Sequence, residues 1–229
     1  MTVTVYVPRD SAARSVGSDA TADAIAAVAA KAGAEVRIVR NGSRGMLWLE
    51  PLVEVATDAG RIAYGPVTAA DVEGLFAAGL LQGGEHALRL GATDALPYLA
   101  RQTRLTFARV GLTDPLSHDD YRAHGGLRGL ERAVTMDPAA IVAAVTESGL
   151  RGRGGAGFPA GIKWDTVRKA PGATKYVACN ADEGDSGTFS DRMILEGDPF
   201  LLLEGMAIAG LASGATEGWI YLRSEYPDA

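Results

Sequence analysis

Apolar and polar positions along the first 80 residues follow the periods of a small α/β domain. Residues 3–7 alternate, as in a strand, and residues 21–32 have the apolar spacing of a helix that Gly33 ends. Residues 45–57 predict either two short strands or one edge strand with a bend, because the apolar run contains a proline. The expected order is β-α-β-β-β-α, with elements at residues 3–7, 21–32, 35–40, 45–57, 61–65 and from residue 68 onward.

The remaining pattern predicts a linker and then a region rich in helices. Asp137, Pro138 and Gly149 are typical start and stop residues of a helix between them. The last strand, helix and strand should form one right-handed parallel βαβ crossover. In chain order we expect a linker (82–97), a strand (101–111), a loop (114–126), a helix (137–149), a glycine-rich loop with a short helix (150–172), a buried strand (174–180), an acidic loop (181–192), a buried helix (198–214) and a second buried strand (218–226).

Composition narrows the class of protein. A chain of 229 residues suggests one large or two small domains, and a net charge of −6 argues against nucleic-acid binding through phosphate neutralisation. Cys179 is the single cysteine, so neither an internal disulfide nor a cysteine-ligated metal cluster can be built from these residues. No signal peptide and no membrane-spanning apolar run are visible. We therefore expect a soluble, cytoplasmic protein without nucleic-acid or membrane partners.

A glycine-rich stretch, GRGGAGF, raises the first question about chemistry. Gly152, Gly154 and Gly157 have the G-x-G-x-x-G spacing of a dinucleotide-binding Rossmann turn. A helix rather than a strand is predicted before them, so we reject the standard Rossmann turn. The stretch is either a tight structural loop with solvated basic residues or an anion-binding loop of exposed backbone N–H groups. Countercharge in the second case would come from Arg151, Arg153 and Lys163.

An acidic cluster follows the strand predicted at residues 174–180. Asn180, Asp182, Glu183 and Asp185 should lie at the carboxyl end of a parallel strand, where α/β sheets bind ligands. These residues form an exposed turn, a Mg²⁺ or Ca²⁺ site, or a set of acceptors for ribityl, ribose or flavin hydrogen-bond donors. The single cysteine, inside the strand, is expected to be a small core residue.

Four stretches carry a resemblance to a known family: GLRGRGGAGFPAGIKW, CNADEGDSGTFSDR, LLLEGMAIAG and GWIYLRSEYP. They resemble the flavoprotein subunit of respiratory complex I and its soluble relatives. Those relatives include diaphorase subunits of NAD-reducing hydrogenases and the β subunit of soluble molybdenum-containing NAD-dependent formate dehydrogenases. The resemblance covers roughly residues 100–229, and residues 101–133 look most like the formate dehydrogenase version. The first 80 residues resemble a thioredoxin-like domain that often carries a [2Fe–2S] cluster, here without cysteines.

This resemblance implies an α/β fold: a small thioredoxin-like domain followed by the first part of a Rossmann-like FMN/NAD-binding domain. The implied domains are a cysteine-free thioredoxin-like domain (1–80), a linker with a connecting strand (81–112) and an incomplete FMN/NADH-binding domain (113–229). The family continues with elements that complete the flavin pocket and with four cysteines that hold a [4Fe–4S] cluster. The chain is therefore expected to be C-terminally truncated.

The resemblance also implies ligand residues at two cofactors. Asp185 would lie near the adenosine ribose and disfavour a 2′-phosphate, while Phe158 would stack on a ring of the nucleotide or, alternatively, pack in the core. No side chain is assigned as general acid or base, and no metal ligand is expected. The FMN set is Gly152, Arg153, Gly154, Lys163, Asn180, Asp182 and Glu183, and the remaining dinucleotide set is Gly155, Ala156 and Gly157.

The implied function is electron transfer between NAD(H) and iron–sulfur clusters through FMN, in a multi-subunit NAD-dependent formate dehydrogenase. Its expected partners are a molybdenum-containing catalytic α subunit and a [2Fe–2S] thioredoxin-like γ subunit. One alternative is the diaphorase subunit of a hydrogenase or of complex I. Another is a non-catalytic docking fragment, and a metal-dependent enzyme built on the acidic loop is more distant.

Overall fold

The computed structural model describes residues 2–229, which separate into two units. The N-terminal unit contains residues up to Asp120 together with residues 192–198 and 228–229. The C-terminal unit contains residues 121–191 and 199–227. Both units mix helices with a sheet, so the fold class is α/β, as the sequence predicts.

The N-terminal unit has one five-stranded sheet in the order β2-β1-β3-β4-β5. Its elements are β1 (Val3–Tyr6), α1 (Ser11–Ser15), α2 (Ser18–Lys31), β2 (Val36–Val39), β3 (Val53–Thr57), β4 (Gly60–Tyr64), α3 (Val72–Ala77), β5 (Arg89–Ala92) and α4 (Pro97–Ala100). Strands β1 and β2 are parallel and the other pairs are antiparallel. The predicted order of the first six elements is therefore confirmed, with α1 and short 3-10 helices added. One of these, Leu47–Leu49, occupies the first half of the segment predicted as strand, so the strand begins only at Val53.

Helix α2 shows how the sequence sets these elements. It begins at Ser18, three residues earlier than predicted, directly after Gly17 with its left-handed φ of 98°. Ile25 is fully buried on the sheet side, in the core that also contains Val5 and Leu75. The helix ends where predicted, because Gly33 takes a left-handed φ of 62° that stops it.

A buried ion network lies in the N-terminal unit. The guanidinium of Arg44 donates to both carboxylate oxygens of Glu54, at 2.9 and 2.8 Å, and these side chains are only 4% and 1% exposed. Arg61 lies 3.4 Å from the same carboxylate and also covers the ring of Tyr6, 3.3 Å from its centroid. A buried charge is tolerated only when it is paired in this way.

The C-terminal unit is mainly helical and carries a two-stranded sheet. Its elements, two of which (α5 and α9) extend into the other unit, are α5 (His118–Ala123), α6 (Arg128–Ala133), α7 (Pro138–Glu147), α8 (Ala160–Lys169), β6 (Tyr176–Ala181), α9 (Ser190–Gly197), α10 (Pro199–Ser213) and β7 (Glu217–Leu222). Strands β6 and β7 are parallel, in a register that runs from Tyr176 opposite Glu217 to Ala181 opposite Leu222. The predicted parallel strand–helix–strand unit is thereby confirmed.

Two contacts fix the helices that lead to this sheet. Gly161 of α8 packs so closely on α7 that an added Cβ would lie 2.1 Å from Oγ1 of Thr146. Nζ of Lys175 donates to the carbonyls of Arg168 (2.7 Å) and Ser213 (3.3 Å), at the ends of α8 and α10. One cation therefore satisfies the last carbonyl groups of two helices.

Several predicted elements are wrong. Residues 101–111 contain turns and no strand, and the carbonyls of Gly111 and Leu112 accept hydrogen bonds from Arg61 at 2.9 and 2.6 Å instead of from a neighbouring strand. Strand β5 lies in the segment predicted as a linker, and α5 lies in the segment predicted as a loop. Asp137 precedes α7 as predicted, but its side chain makes no capping hydrogen bond.

The predicted burial of β6, β7 and α10 is also wrong. Trp219 and Tyr221 of β7 are 63% and 70% exposed, and Leu203 of α10 is half exposed. Within the described residues the sheet has only two strands, so much of its surface remains uncovered. None of the helices in residues 2–229 combines the length and the apolar character needed to cross a bilayer.

Candidate functional site

The glycine-rich loop (residues 152–158) connects α7 to α8 and is closed at its base. The backbone N–H of Gly152 donates to the carbonyl of Phe158 at 2.9 Å, and the side chain of Arg151 donates to the carbonyl of Gly157 at 2.8 Å. These bonds hold the two ends of the loop together and leave its centre open. Since a helix precedes the loop, the rejection of a standard Rossmann turn is confirmed.

The centre of this loop is a stretch of backbone with empty space beside it. Gly155 and Gly157 have left-handed φ values of 109° and 59°, which glycine adopts without strain. A Cβ added at Gly154, Gly155 or Gly157 would have no atom within 4 Å. A ligand can therefore approach the backbone here more closely than any side chain would allow.

The strand-end loop (residues 182–189) follows β6 and leads into α9. Asn180, next to the last residue of the strand, accepts the backbone N–H of Asp182 at 3.1 Å, which starts the loop. Glu183 has a left-handed φ of 41°, and Nη1 of Arg223 donates to its carbonyl at 2.6 Å. The carbonyl of Asp185 accepts the N–H of Thr188 at 3.3 Å and closes the second half.

The two loops line one cavity of about 690 Å³ within the C-terminal unit. Seven residues that were predicted to bind a cofactor line it: Arg153, Gly154, Gly155, Asn180, Asp182, Glu183 and Asp185. Four further lining residues were not predicted: Gly184, Thr188, Ser190 and Asp191. Ser190 and Asp191 begin α9, and a serine followed by an acidic residue is a helix-start signal that would have placed them here.

Five predicted residues do not line the cavity. They are Gly152, Ala156, Gly157, Phe158 and Lys163. Phe158 is 54% exposed, so core packing, its alternative role, does not describe it. Lys163 lies exposed in the first turn of α8.

Carboxylates dominate the charge around the cavity. Burial, together with the charge of Glu183, raises the pKa of Asp191 above its ordinary value. Burial and the charge of Asp191 likewise raise the pKa of the Cys179 thiol. Cys179 is half-buried in β6 rather than in the core as predicted, and its raised pKa disfavours the reactive thiolate.

The donor and acceptor set fits a phosphate-bearing flavin. Arg153 and the accessible N–H groups of the glycine-rich loop suit a phosphate, while the carboxylates and Asn180 suit hydroxyl and ring N–H donors. The cavity volume lies in the range of small-molecule sites, about 300–1,000 Å³. No group of three or more His, Cys, Asp or Glu side chains in residues 2–229 is arranged to hold a metal ion.

Comparison with known families agrees with this donor set. Residues 145–229 match the family Complex1_51K, described as the Nuo51 FMN-binding domain. The matched region contains both loops and the whole cavity, but it is less than half of the chain.

Curated relatives are subunits of redox enzymes. The chain is 53% identical to the NADP-reducing hydrogenase subunit HndC of Solidesulfovibrio fructosivorans, over 56% of this chain and 26% of that protein. It is 47% identical to a subunit of the NADH-quinone oxidoreductase of Aquifex aeolicus, over 58% of this chain and 32% of the relative. It is 45% identical to the NAD-reducing hydrogenase HoxS subunit alpha of Cupriavidus necator, over 46% of this chain and 18% of that protein. The chain thus spans a third or less of each relative.

A solved structure with partial overlap is that of an NAD⁺-reducing [NiFe]-hydrogenase in the H₂-reduced state. The match has a TM-score of 0.44 and 27% sequence identity, and it covers 98% of this chain and 37% of the other.

Proposed function

We propose that this chain provides an FMN- and NAD(H)-binding module of an NADH-linked electron-transfer subunit. The observation that carries the proposal is the cavity in which the glycine-rich loop and the strand-end loop face each other. It lies inside the region that matches the FMN-binding domain. Bound FMN would supply the redox chemistry, since a flavin exchanges a hydride with a nicotinamide and passes single electrons to iron–sulfur clusters.

The two loops would hold and orient the cofactor. Arg153 and Gly154, which line the cavity, would neutralise the phosphate and let it approach the backbone, with Gly152 at the base of the same loop. Acceptors at the end of β6 and on the strand-end loop would bind the ribityl hydroxyls and the ring N–H, and Lys163, which does not line the cavity, would reach the cofactor from α8. The acceptors in this proposal are Asn180, Asp182 and Glu183.

The dinucleotide would bind next to the flavin along the outer part of the glycine-rich loop. Gly155, Ala156 and Gly157 offer backbone there, and Phe158 presents an exposed ring for stacking. Asp185 would accept the ribose 2′-hydroxyl of NAD and repel the 2′-phosphate of NADP. The relatives include proteins named for either nucleotide, so their names do not choose between NAD and NADP, and the proposed preference for NAD rests on this carboxylate.

For the whole enzyme we propose a cytoplasmic NAD-dependent formate dehydrogenase with a molybdenum-containing α subunit and a [2Fe–2S] γ subunit. The resemblance of residues 101–133 to the formate dehydrogenase version supports this choice. We also propose domain boundaries near residues 80 and 112, with a cysteine-free N-terminal domain. The [4Fe–4S] cluster of such a subunit would need cysteines outside these residues. A hydrogenase or complex I diaphorase is the second candidate, which the names of the relatives favour.

An anaerobic visible spectrum of the native assembly tests these proposals. We expect a flavin absorption band at about 450 nm that bleaches on addition of NADH. Bleaching by formate in place of NADH would support the formate dehydrogenase, whereas bleaching by H₂ would support the hydrogenase. An assembly that contains the chain but no flavin would contradict the proposal and favour a docking role.

A further inference from the structure

Arg223 is the residue that follows β7, directly beside the start of the strand-end loop. The strands end with Ala181 of β6 opposite Leu222 of β7, and the N–H of Arg223 reaches the carbonyl of Ala181 at 3.5 Å. The side chain of Arg223 is 19% exposed and does not line the cavity. It therefore lies behind the loop, where it can affect a ligand only through other residues.

The loop residue that Arg223 holds is in an unfavourable backbone conformation. Glu183 has a φ of 41°, in the left-handed region, which costs a residue with a Cβ about 1 kcal/mol or more. Such a conformation persists when surrounding contacts fix it. The 2.6 Å bond from Nη1 of Arg223 to the carbonyl of Glu183 is a charge-assisted contact of this kind.

Fixing that carbonyl also fixes the next amide. A peptide group is planar and trans, so the N–H of Gly184 is directed opposite to the Glu183 carbonyl and away from Arg223. Glu183 and Gly184 both line the cavity. The hydrogen bond from Arg223 thus sets the direction of the Gly184 N–H and the position of the Glu183 carboxylate.

Two further contacts hold the guanidinium in place. Arg223 pairs with Glu225 at 3.1 Å and lies over the ring of Tyr226, 5.1 Å from its centroid. The hydrogen bond from Arg223 lowers the pKa of Glu225 to about 2, so this ion pair persists at neutral pH. The fork of the guanidinium can serve Glu225 and the Glu183 carbonyl together, which an ammonium does less well.

We propose that Arg223 is a positioning residue for flavin binding: it holds the Glu183–Gly184 peptide in the orientation that presents its N–H and the Glu183 carboxylate to the cofactor. The inference rests on the proposed FMN-binding function. Arg223 touches neither cofactor nor substrate in this proposal, and it acts only through the strand-end loop.

The test uses the native assembly with Arg223→Met, which keeps the length of the side chain and removes its charge and donors. Flavin is removed and the dissociation constant for FMN is measured by reconstitution, alongside the Tm of the flavin-free protein. We expect FMN affinity to fall about tenfold or more with little change in Tm. Arg223→Lys should restore part of the affinity, since it keeps one donor and the charge.

Two matched variants separate positioning from general packing. Glu225→Gln removes an ion pair that holds the guanidinium but leaves the bond to Glu183, so it should cost less affinity than Arg223→Met. Arg122→Met removes an exposed arginine of the Arg122–Glu131 pair and should bind FMN like the wild type. Equal affinity in Arg223→Met and wild type, or an equal loss in Arg122→Met, would overturn the inference alone. A wild-type assembly that takes up no FMN would overturn the proposed function and this inference with it.

Discussion

The phenolic hydroxyl of Tyr121 donates a hydrogen bond to the carboxylate of Glu204, a charged residue in the middle of the apolar helix α10. The same carboxylate accepts the backbone N–H groups of Leu127 (2.8 Å) and Leu130 (3.0 Å), at the start of α6. Leu127 has a left-handed φ of 66° and cannot cap the helix with its own side chain. Glu204 therefore caps α6 from a neighbouring helix.

Glu204→Gln should lower the free energy of unfolding by about 2 kcal/mol at neutral pH, because it leaves partly buried donors with a poorer acceptor. Tyr121→Phe removes only one of the bonds and should cost about 1 kcal/mol. Urea unfolding of the two variants measures these changes. Glu131→Gln, at an exposed position, is the control and should unfold like the wild type.

The Glu204 carboxylate should also make the free energy of unfolding depend on pH in the acidic range. Burial acts to raise the pKa of Glu204, but the hydrogen bonds from Tyr121 and the backbone outweigh it and lower the pKa below its ordinary value of 4.5. Its contribution is therefore complete above about pH 4.5 and is lost as the pH falls through the lowered pKa. Parallel stability curves for wild type and Glu204→Gln between neutral and acidic pH would contradict this.

Glu50, in the N-terminal unit, behaves in the opposite way. Its carboxylate accepts from the Ser43 hydroxyl at 2.6 Å and the Leu52 N–H at 2.8 Å. Burial nevertheless raises its pKa from 4.5 to about 7, with additional repulsion from Asp10 and Glu54. Folding therefore favours the protonated form of this side chain.

Stability of the wild type should fall as the pH rises from about 4.5 toward 7, by up to about 3 kcal/mol from Glu50. The sign follows because the folded state binds the proton more tightly than the unfolded state in this window. Glu50→Gln mimics the protonated form and should flatten the curve, whereas Glu73→Gln, at an exposed position, should not. Thermal unfolding across this pH range compares the slopes, and identical slopes would refute the assignment.

Two glycine substitutions should separate binding from folding. Gly154→Ala adds a methyl where no protein atom lies within 4 Å, so we expect an unchanged Tm and weaker FMN binding, because the cofactor approaches that space. Gly161→Ala drives a methyl into Thr146 and should destabilise the protein by about 1–3 kcal/mol. Flavin titration and thermal unfolding of both variants give the comparison. Unimpaired FMN binding by Gly154→Ala would place the cofactor elsewhere.

Asp185→Asn should relax the discrimination between NAD and NADP. Two unit charges about 4 Å apart repel by about 4 kcal/mol at an effective dielectric constant near 20. Asp185 is exposed, so screening reduces this, and half of it still corresponds to more than a tenfold preference. The ratio of kcat/KM values for NADH and NADPH measures the effect, with Asp58→Asn, in the turn between β3 and β4 of the N-terminal unit, as a control. An unchanged ratio in Asp185→Asn would rule out this role.

The elements that sequence reasoning found have strong local signals. The alternation of residues 3–7, the stop at Gly33 and the start at Pro138 each depend on a few neighbouring residues, and each is present in the structure. The position of Asn180 and Asp182 at a strand end follows from the same local pattern. The two cavity loops were identified from glycine spacing in one and from a cluster of acidic residues after a predicted strand in the other.

The elements that sequence reasoning missed depend on partners that are far away in the sequence. Strand β5 is four residues long and contains Gly91 with a φ of 98°, so only its pairing with β4 makes it a strand. Residues 101–111 have a strand-like composition, yet the carbonyls of Leu105 and Arg109 accept local backbone N–H groups, and the carbonyl of Gly111 accepts from the side chain of Arg61. We predicted that Trp219 is buried because its neighbours in the sequence are apolar. Its burial depends instead on how many layers of structure pack against the sheet, and the side chain is exposed.

The ion network of Arg44, Glu54 and Arg61 constrains how the N-terminal unit can diverge. Removing Glu54 alone would leave the buried guanidinium of Arg44 and the partly buried one of Arg61 without their shared carboxylate, whereas replacing the whole set with apolar residues of similar volume need not cost stability. Loss of Glu54 or of Arg44 alone therefore passes through a destabilised unit. We expect the three positions to be inherited as a block, retained together or exchanged together among descendants of this domain.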